Sequence, residues 1–233
     1  MILVKPSFEI ISHTIDPERL IEEAGRTCYK SERNADDAQG AFVSRLIQSG
    51  HMSVIEHMNV TVRIICDRGV SHELVRHRLA SYSQESTRYC NYSHGRFGGQ
   101  CTFVIPPWYP ELIPGEYGRT AIAITGPAGE PMFTNDENPA AEAWMDAMMD
   151  ADARYRSLIA HGETPQQARS VLPNSLKTEV VMTANAREWR HVFALRCSKA
   201  AHPQMREIMF PMRDHFAGKW PAVFGDLAKG KGQ

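Results

Sequence analysis

The stretch RHRLASYSQESTRY, residues 76–89, decides how this 233-residue sequence is interpreted. It places three arginines and one histidine beside several hydroxyl groups and an amide. Arginine presents a planar fork of donors that matches phosphate oxygens, and the hydroxyl and amide groups add neutral hydrogen bonds. Tyrosine rings can support a flat ligand. The stretch therefore fits a ligand made of a phosphate and a base.

Composition alone leaves two other interpretations of this stretch open. A charged run is often only the solvated end of a helix followed by a polar loop. The interleaving of Tyr82, Tyr89, Tyr92 and Phe97 with Arg96 is also typical of single-stranded nucleic-acid binding. The net charge of −1 and the pI near 6.8 argue against a nucleic-acid partner.

Several catalytic and cofactor motifs are absent from the sequence. No G-x-G-x-x-G follows a strand pattern and no G-x-x-x-x-G-K-[ST] occurs, so a nucleotide must be held by side chains and irregular backbone. His72 and His77 are five positions apart, which on a helix separates them by about 140° and prevents shared zinc binding. No G-x-S-x-G and no C-x-x-C pair occurs, and the five cysteines are scattered. We therefore predict no metal and reduced thiols.

Length and composition indicate one soluble domain spanning residues 1–233. The chain is 42% hydrophobic and 23% charged, an ordinary globular mixture, and it is short for two domains. No stretch approaches the roughly 18 consecutive apolar residues that cross a bilayer, and residues 1–13 lack the features of a signal peptide. We predict a cytoplasmic protein that binds neither membrane nor nucleic acid.

The order of predicted elements favours an α+β fold, because helices interleave with a few strands without regular alternation. Residues 114–138 are rich in glycine, proline and polar side chains and predict a surface excursion, and residues 227–233 predict a frayed tail. We expect Asn138-Pro139 to start the longest helix, Ser71 and Asn185 each to cap a helix, and Pro211 to kink or end the last helix. Five residues of the longest helix recur at helical spacing and predict its buried stripe: Trp144, Met148, Ala151, Tyr155 and Leu158. Helices are predicted over about 17–29, 37–49, 139–161, from 164 to before 173, from 185 and from 203, and strands over 59–66, 101–105 and 176–183.

Residues 76–89 resemble the signature of the flavin-dependent thymidylate synthases, in which Arg-His-Arg is followed by seven residues and a serine. Here the signature is Arg76-His77-Arg78 and Ser86. Other segments resemble the family in the same order, and a chance match of the whole set is implausible: residues 26–29, 51–57, 168–173, 185–187, 195–196 and 202–204. The resemblance implies an α+β domain with a mixed or antiparallel sheet flanked by helices.

The resemblance also implies roles for individual side chains. Arg196 would face the uracil ring of dUMP and favour ionisation at N3. His51 would relay protons or lie on the folate side. FAD would be bound by Ser53, Arg76, His77, Arg78, Gln84, Asn185, Ala186, Arg187 and His191. The substrate dUMP would be bound by Glu73, Leu74, Val75, Arg76, Gln84, Glu85, Ser86, Thr87, Arg88, Arg169 and Arg196.

The implied reaction is the reductive methylation of dUMP to dTMP in a homotetramer with shared sites. NADPH would reduce FAD, 5,10-methylenetetrahydrofolate would supply a one-carbon unit, and a flavin hydride would complete the methyl group. No protein nucleophile is required, so we assign Ser86 as a ligand contact. A flavoprotein oxidoreductase that lacks methyl transfer and a nucleic-acid-binding module remain the competing classes.

The sequence departs from the family pattern at three positions. Glu73 replaces the glutamine of some relatives, and Gln84 replaces a glutamate. His191 stands where the family often has asparagine. These exchanges keep hydrogen-bonding capacity but move charge, so they leave open the sign of the field at the phosphate.

Overall fold

A computed structural model describes residues 1–32, 40–120, 123–133 and 138–228. It divides into two compact units. Unit 1 comprises residues 1–7, 65–73 and 84–180, and unit 2 comprises residues 8–64, 74–83 and 181–233. The prediction of a single domain stays a prediction.

The predicted α+β class is confirmed. The strands are β1 (Ile2–Val4), β2 (Ser7–His13), β3 (Asn59–Asp67), β4 (Ala80–Gln84), β5 (Thr102–Val104), β6 (Gly115–Glu116), β7 (Gly118–Arg119), β8 (Ile124–Thr125) and β9 (Lys177–Asn185). The helices are α1 (Pro17–Tyr29), α2 (Ala41–Gln48), α3 (Arg68–Leu74), α4 (Pro139–Ala160), α5 (Pro165–Ala168), α6 (Ala186–Arg196), α7 (Pro203–Lys219) and α8 (Pro221–Ala228).

Sheet pairing confirms the mixed and antiparallel character that was predicted. In the sheet β5-β1-β6, β1 runs parallel to β5 and antiparallel to β6. A second sheet has the order β2-β3-β9-β4, and β7 and β8 form an antiparallel pair. The described helices include none that is long and apolar enough to cross a membrane.

Unit 1 is organised by α4, which begins where the sequence predicts. The Asn138 side chain accepts a hydrogen bond from the Ala141 N–H at 3.1 Å and caps the helix, and proline follows at its first position. Met148 and Tyr155 of the predicted stripe are buried among the apolar side chains of β1 and β5, together with Met145. The other predicted members of the stripe are only partly buried: Trp144, Ala151 and Leu158.

The segment 114–138, predicted as a surface excursion, contributes to this core. Tyr117 is 1% exposed and Ile124 is 5% exposed, and both belong to the buried cluster of unit 1. Residues 121–122 and 134–137 of the segment lie outside the described residues. Of the predicted tail, residues 227–228 belong to α8 and residues 229–233 lie outside the described residues.

Unit 2 is organised by an aromatic cluster beneath α6. Trp189 and Phe193 on α6 pack with Phe216 on α7 and Phe224 on α8, with ring centroids 5.2–6.2 Å apart. The Trp189 Nε1–H donates to the Val60 carbonyl at 3.1 Å. Aromatic packing and this buried hydrogen bond fix α6 against β3.

The predicted start of the helix near residue 71 is wrong. The helix α3 begins at Arg68, and Ser71 lies inside it. Its first turn is capped by Asp67, whose Oδ1 accepts from the Val70 N–H at 2.6 Å. The cap was missed because Asp67 is also the last residue of β3, and the chain passes directly from strand to helix.

The sequence predicts that Pro211 kinks or ends the last long helix. The helix does not end there. The helix α7 contains Pro211 and continues to Lys219. Proline removes one backbone donor, but the helix is held on both sides by buried side chains, including Met209, Met212 and Phe216. For α2, the predicted start at residues 37–39 lies outside the described residues.

Candidate functional site

The predicted site residues are distributed over both units. Unit 2 contains His51, Ser53, Leu74, Val75, Arg76, His77, Arg78, Asn185, Ala186, Arg187, His191 and Arg196. Unit 1 contains Glu73, Gln84, Glu85, Ser86, Thr87, Arg88 and Arg169.

Most of the predicted flavin-binding side chains meet at two clefts in unit 2. One has a volume of about 550 Å³ and is lined by Glu56, Leu79, Asn185, Arg187, Glu188 and His191. The other has about 260 Å³ and is lined by Arg76, His77, Arg78, Leu79, Glu188, His191, Leu195 and Arg196. The clefts therefore have Leu79, Glu188 and His191 in common.

Three predicted flavin-binding residues, and His51 of the predicted proton relay or folate side, do not line these clefts. His51 and Ser53 are exposed, and neither lines these two clefts. Ala186 is fully buried, and its N–H donates to the Met58 carbonyl at 2.8 Å. Its contribution is to hold the start of α6, while Gln84 belongs to unit 1.

The start of α6 places the cleft residues on one face. The Asn185 side chain accepts from the Glu188 N–H at 2.9 Å and caps the helix, as predicted. Since residues four apart share a helix face, Arg187, His191 and Leu195 point to the same side. All three are exposed, whereas Trp189 is buried against β3.

His77 joins two charged side chains inside unit 2. Its residue is 4% exposed; Nδ1 lies 3.2 Å from Glu188 Oε1, and the Arg196 Nε–H donates to Nε2 at 3.0 Å. An arginine Nε–H can only donate, so Nε2 is the acceptor and Nδ1 carries the proton that Glu188 accepts. Burial lowers the pKa of His77, and the Arg196 charge lowers it further, against the opposing effect of Glu188. The ring is therefore neutral near pH 7.

Tyr82 fixes the backbone beside this ring. Its hydroxyl lies 2.8 Å from the Leu74 carbonyl and 2.9 Å from the His77 carbonyl. Burial first, and the Glu188 carboxylate second, raise the pKa of Tyr82 to about 12, so the hydroxyl keeps its proton and donates. The turn after α3, which carries the arginines of the signature, is thereby held.

His77, Glu188 and His191 also offer a donor set that metals use, with ligand atoms within 4.8 Å of one another. Both ring nitrogens of His77 are already hydrogen-bonded, and one of them faces the Arg196 guanidinium at 3.0 Å. A cation at this position would meet that fixed positive charge. We assign Glu188 and His77 to a hydrogen-bonded chain with Arg196, and His191 to a ring contact with His77, and not to a metal site.

Unit 1 contains a different cleft, of about 530 Å³, whose described lining combines cations with neutral donors. The lining residues are Arg68, His72, Thr87, Gln166, Arg169, Ser170, Leu172, Pro173, Asn174 and Leu176. Arg169 Nη1 donates to Thr87 Oγ1 at 3.2 Å, which joins two of the predicted dUMP residues. This lining contains the guanidinium groups of Arg68 and Arg169 and no acidic side chain, so it suits a phosphate.

Other predicted dUMP residues in unit 1 are engaged with protein groups. Glu85 accepts from the Tyr92 hydroxyl and from Lys177 Nζ, each at 2.7 Å. Gln84 Nε2 donates to Ser71 Oγ at 2.9 Å and to Thr178 Oγ1 at 3.1 Å. These contacts assign both side chains to support of the segment that carries Thr87, and their contact with dUMP stays a prediction.

The neighbouring signature residues have less internal support. Ser86 Oγ accepts from the Arg88 N–H at 3.3 Å and shapes the turn. Arg88 is exposed and donates to Gln166 Oε1 at 3.4 Å.

The remaining predicted dUMP residues lie at and just after the end of α3. Leu74 is fully buried, Val75 is 38% exposed, and Glu73 is half-buried.

Sequence reasoning missed several of these groups. Glu188 stands three positions after the cap residue Asn185. An acidic residue at that spacing is common at the start of a helix, so the sequence alone gives it no other role. Arg68 and His72 lie outside the signature, and only folding brings them to the cleft that contains Arg169. A charge count near the signature could have suggested them, but it would not have distinguished them from solvated side chains.

Comparison with known proteins gives consistent matches. A family model described as "Thymidylate synthase complementing protein" matches residues 9–222. The chain is 33% identical over 229 residues to a flavin-dependent thymidylate synthase of Geobacter sulfurreducens, covering 95% of this chain and 86% of the relative. It is 33% identical over 219 residues to one of Mycobacterium avium, covering 89% and 78%.

A solved structure gives a match in fold. It is a UMP/dUMP methylase, PolB, from Streptomyces cacaoi bound with 5-Br dUMP, with a TM-score of 0.73 and 22% sequence identity. The match covers 98% of this chain and 97% of that one. At this identity the likeness shows that the two chains have the same fold.

Proposed function

The chain belongs to the family of flavin-dependent thymidylate synthases, and from that premise we propose that it methylates dUMP to dTMP with FAD as cofactor. We propose 5,10-methylenetetrahydrofolate as the carbon donor and NADPH as the reductant. The observation that carries the proposal is the meeting of Arg76, His77 and Arg78 of the signature with Arg196 at one cleft. Arg196 and His77 are 119 positions apart in the sequence.

The residues at the unit 2 clefts fit the chemistry of FAD. Arg76, Arg78 and Arg187 supply charges and donors for a diphosphate. Leu79 is 75% exposed and Leu195 is 48% exposed, and both offer apolar surface that a flat ring would cover. We propose that these groups, with Asn185 and His191, hold the cofactor, which supplies the hydride when it is bound.

Arg196 is proposed to stabilise negative charge that develops on the uracil ring. Its guanidinium is permanently charged, and the bond from Nε to His77 restricts the orientation of the guanidinium plane. A fixed donor group aimed at developing charge lowers the barrier without reorganising during the reaction. His77 is neutral, so it orients this cation without adding a second charge.

The cleft of unit 1 is proposed to bind the phosphate of dUMP. Arg169 and Thr87 are already joined, and Arg68 and His72 line the same cleft. A phosphate carries its charge throughout the reaction, so these groups contribute mainly to binding. We further propose a homotetramer in the cytoplasm.

Tritium release from dUMP labelled at C5 tests the proposed function. Methylation replaces the hydrogen at C5, so we expect release that requires FAD, NADPH and methylenetetrahydrofolate together. The purified protein should also show flavin absorbance or take up FAD. A colourless protein that takes up no FAD and releases no tritium would refute the proposal.

A further inference from the structure

Glu188 is a buried carboxylate for which the proposed function provides no role. Its residue is 6% exposed, and it occupies the third position of α6. A carboxylate at this position commonly turns back to the N–H of the cap residue. Here Oε1 instead lies 3.2 Å from His77 Nδ1. Because burying a carboxylate is costly, its place beside His77 requires an explanation.

The hydrogen bonds around His77 require one tautomer. If the proton were on Nε2, it would oppose the Arg196 Nε–H, and two donors would face each other across 3.0 Å. The arrangement is satisfied only when the proton is on Nδ1, where Glu188 accepts it. A histidine whose second nitrogen is bound by a carboxylate is fixed in tautomer and orientation.

The backbone of His77 is held independently of Glu188. The Tyr82 hydroxyl lies 2.9 Å from the His77 carbonyl, so the main chain is restrained at that point. The Tyr82 contact does not act on the ring, whose Nδ1 is restrained by Glu188. The two contacts therefore restrain different parts of the residue.

We infer that Glu188 is a positioning residue that holds Arg196 through His77, and this inference rests on the proposed function of the cleft. The carboxylate selects the Nδ1–H tautomer, the tautomer leaves Nε2 as an acceptor, and Nε2 orients the guanidinium. Loss of the carboxylate leaves Arg196 charged but less well oriented. The effect falls on the rate of the chemical step more than on substrate affinity.

The test compares Glu188→Gln and Glu188→Ala with the control Asp226→Asn. Asp226 is also bonded to α6, through Arg190, but that pair is separate from His77. We expect Glu188→Ala to lower kcat about 10- to 100-fold, with KM for dUMP changed less than about threefold. Glu188→Gln retains an acceptor and should lose less, and Asp226→Asn should stay near the wild-type rate.

A second measurement does not depend on activity. Nitrogen-15 NMR of labelled histidine side chains reports which ring nitrogen carries the proton, and the signal missing in His77→Gln assigns His77. We expect Nδ1–H in the wild type and loss of that preference in Glu188→Ala. A wild-type His77 protonated on Nε2 would overturn the inference, as would a kcat for Glu188→Ala within about twofold of the wild type.

The outcomes separate this inference from the proposed function. If the wild-type protein releases no tritium from dUMP, the proposed function is wrong, while the NMR result still decides whether Glu188 sets the tautomer. If the wild type is active and both Glu188 variants retain its kcat, the positioning role alone is wrong. If Glu188→Ala fails to fold, the isosteric Glu188→Gln supplies both measurements.

Discussion

The two units hold the arginines proposed for function in different ways. In unit 2, Arg196 donates a hydrogen bond to the ring of His77, which is 4% exposed, and Glu188 accepts a hydrogen bond from the other nitrogen of that ring. In unit 1, Arg169 is exposed and donates to the hydroxyl of Thr87. A buried hydrogen-bonded chain is rigid and costly to break, whereas an exposed cation acts through a field that salt screens.

This difference fits the two roles proposed for Arg196 and Arg169. Charge that develops only in the transition state is stabilised best by a donor that is already fixed in place. A phosphate carries its charge before and after the reaction, so contacts to it favour substrate and transition state alike. Substitutions in the hydrogen-bonded chain of Glu188, His77 and Arg196 should therefore lower kcat. Substitutions at the cleft of unit 1 should weaken dUMP binding.

The largest effect is expected for Arg196→Ala. Removing the fixed guanidinium should lower kcat for dTMP formation by about 10³-fold or more, because the developing charge loses its stabilising group. FAD binding should persist, since Arg76, Arg78 and Arg187 remain in place. Chromatographic assay of dTMP and the flavin absorbance of the purified variant measure the two effects. Unchanged turnover would refute the role of Arg196.

A smaller effect, of another kind, is expected for Arg169→Ala. Loss of a charged donor to phosphate should raise the dissociation constant of dUMP about 10- to 100-fold. Calorimetric titration measures this constant, and Arg169→Lys, which keeps the charge, should recover part of the affinity. In the wild type, dUMP affinity should fall as KCl is raised. A large loss of kcat with unchanged dUMP affinity in Arg169→Ala would contradict the proposed binding role of unit 1.

Tyr82→Phe tests the backbone support of unit 2. The hydroxyl is near two carbonyl oxygens, so its removal should lower the free energy of unfolding by about 1–2 kcal/mol and should lower kcat modestly. Urea unfolding measures the first effect. Tyr89→Phe is a matched control, because Tyr89 is 75% exposed and should lose little. Equal losses in the two variants would contradict the assigned support.

The smallest effect concerns pH. The folded pKa of His77 lies below its ordinary value of 6.5, so the unfolded chain takes up the proton first as the pH falls. His77 therefore contributes stability above pH 6.5 that is lost as the pH falls toward the folded pKa, at most about 1.4 kcal/mol per pH unit. Urea unfolding of wild type and His77→Gln, at about pH 7.5 and about pH 5.5, should show a smaller loss in the variant. Equal losses would contradict a neutral His77.

Local signals in the sequence predicted much of the fold. Asn138-Pro139 was predicted to start the longest helix and Asn185 to cap a helix, and both asparagine side chains cap their helices. The strand β3 was predicted from alternating apolar residues. The strand β4 was missed because it is only five residues long and Tyr82 is its one large apolar side chain, which is too little to establish an alternating pattern. Its identity depends on pairing with β9.

The site could be predicted only where the family signature reaches. The resemblance to the family led to Arg76, His77 and Arg196, and the structure brings these residues to one cleft. It could not lead to Glu188, whose inferred role depends on a contact between positions 111 residues apart. Contacts of this range arise from the packing of α6 against β3, which no local pattern encodes.

The central claim is that Glu188 acts on the reaction through His77 and Arg196, and a double-mutant cycle tests it most directly. The cycle compares kcat for wild type, Glu188→Ala, Arg196→Lys and the double variant. If Glu188 acts through Arg196, the double variant should be little slower than Arg196→Lys alone. If the two losses multiply in full, the residues act independently and the claim is contradicted.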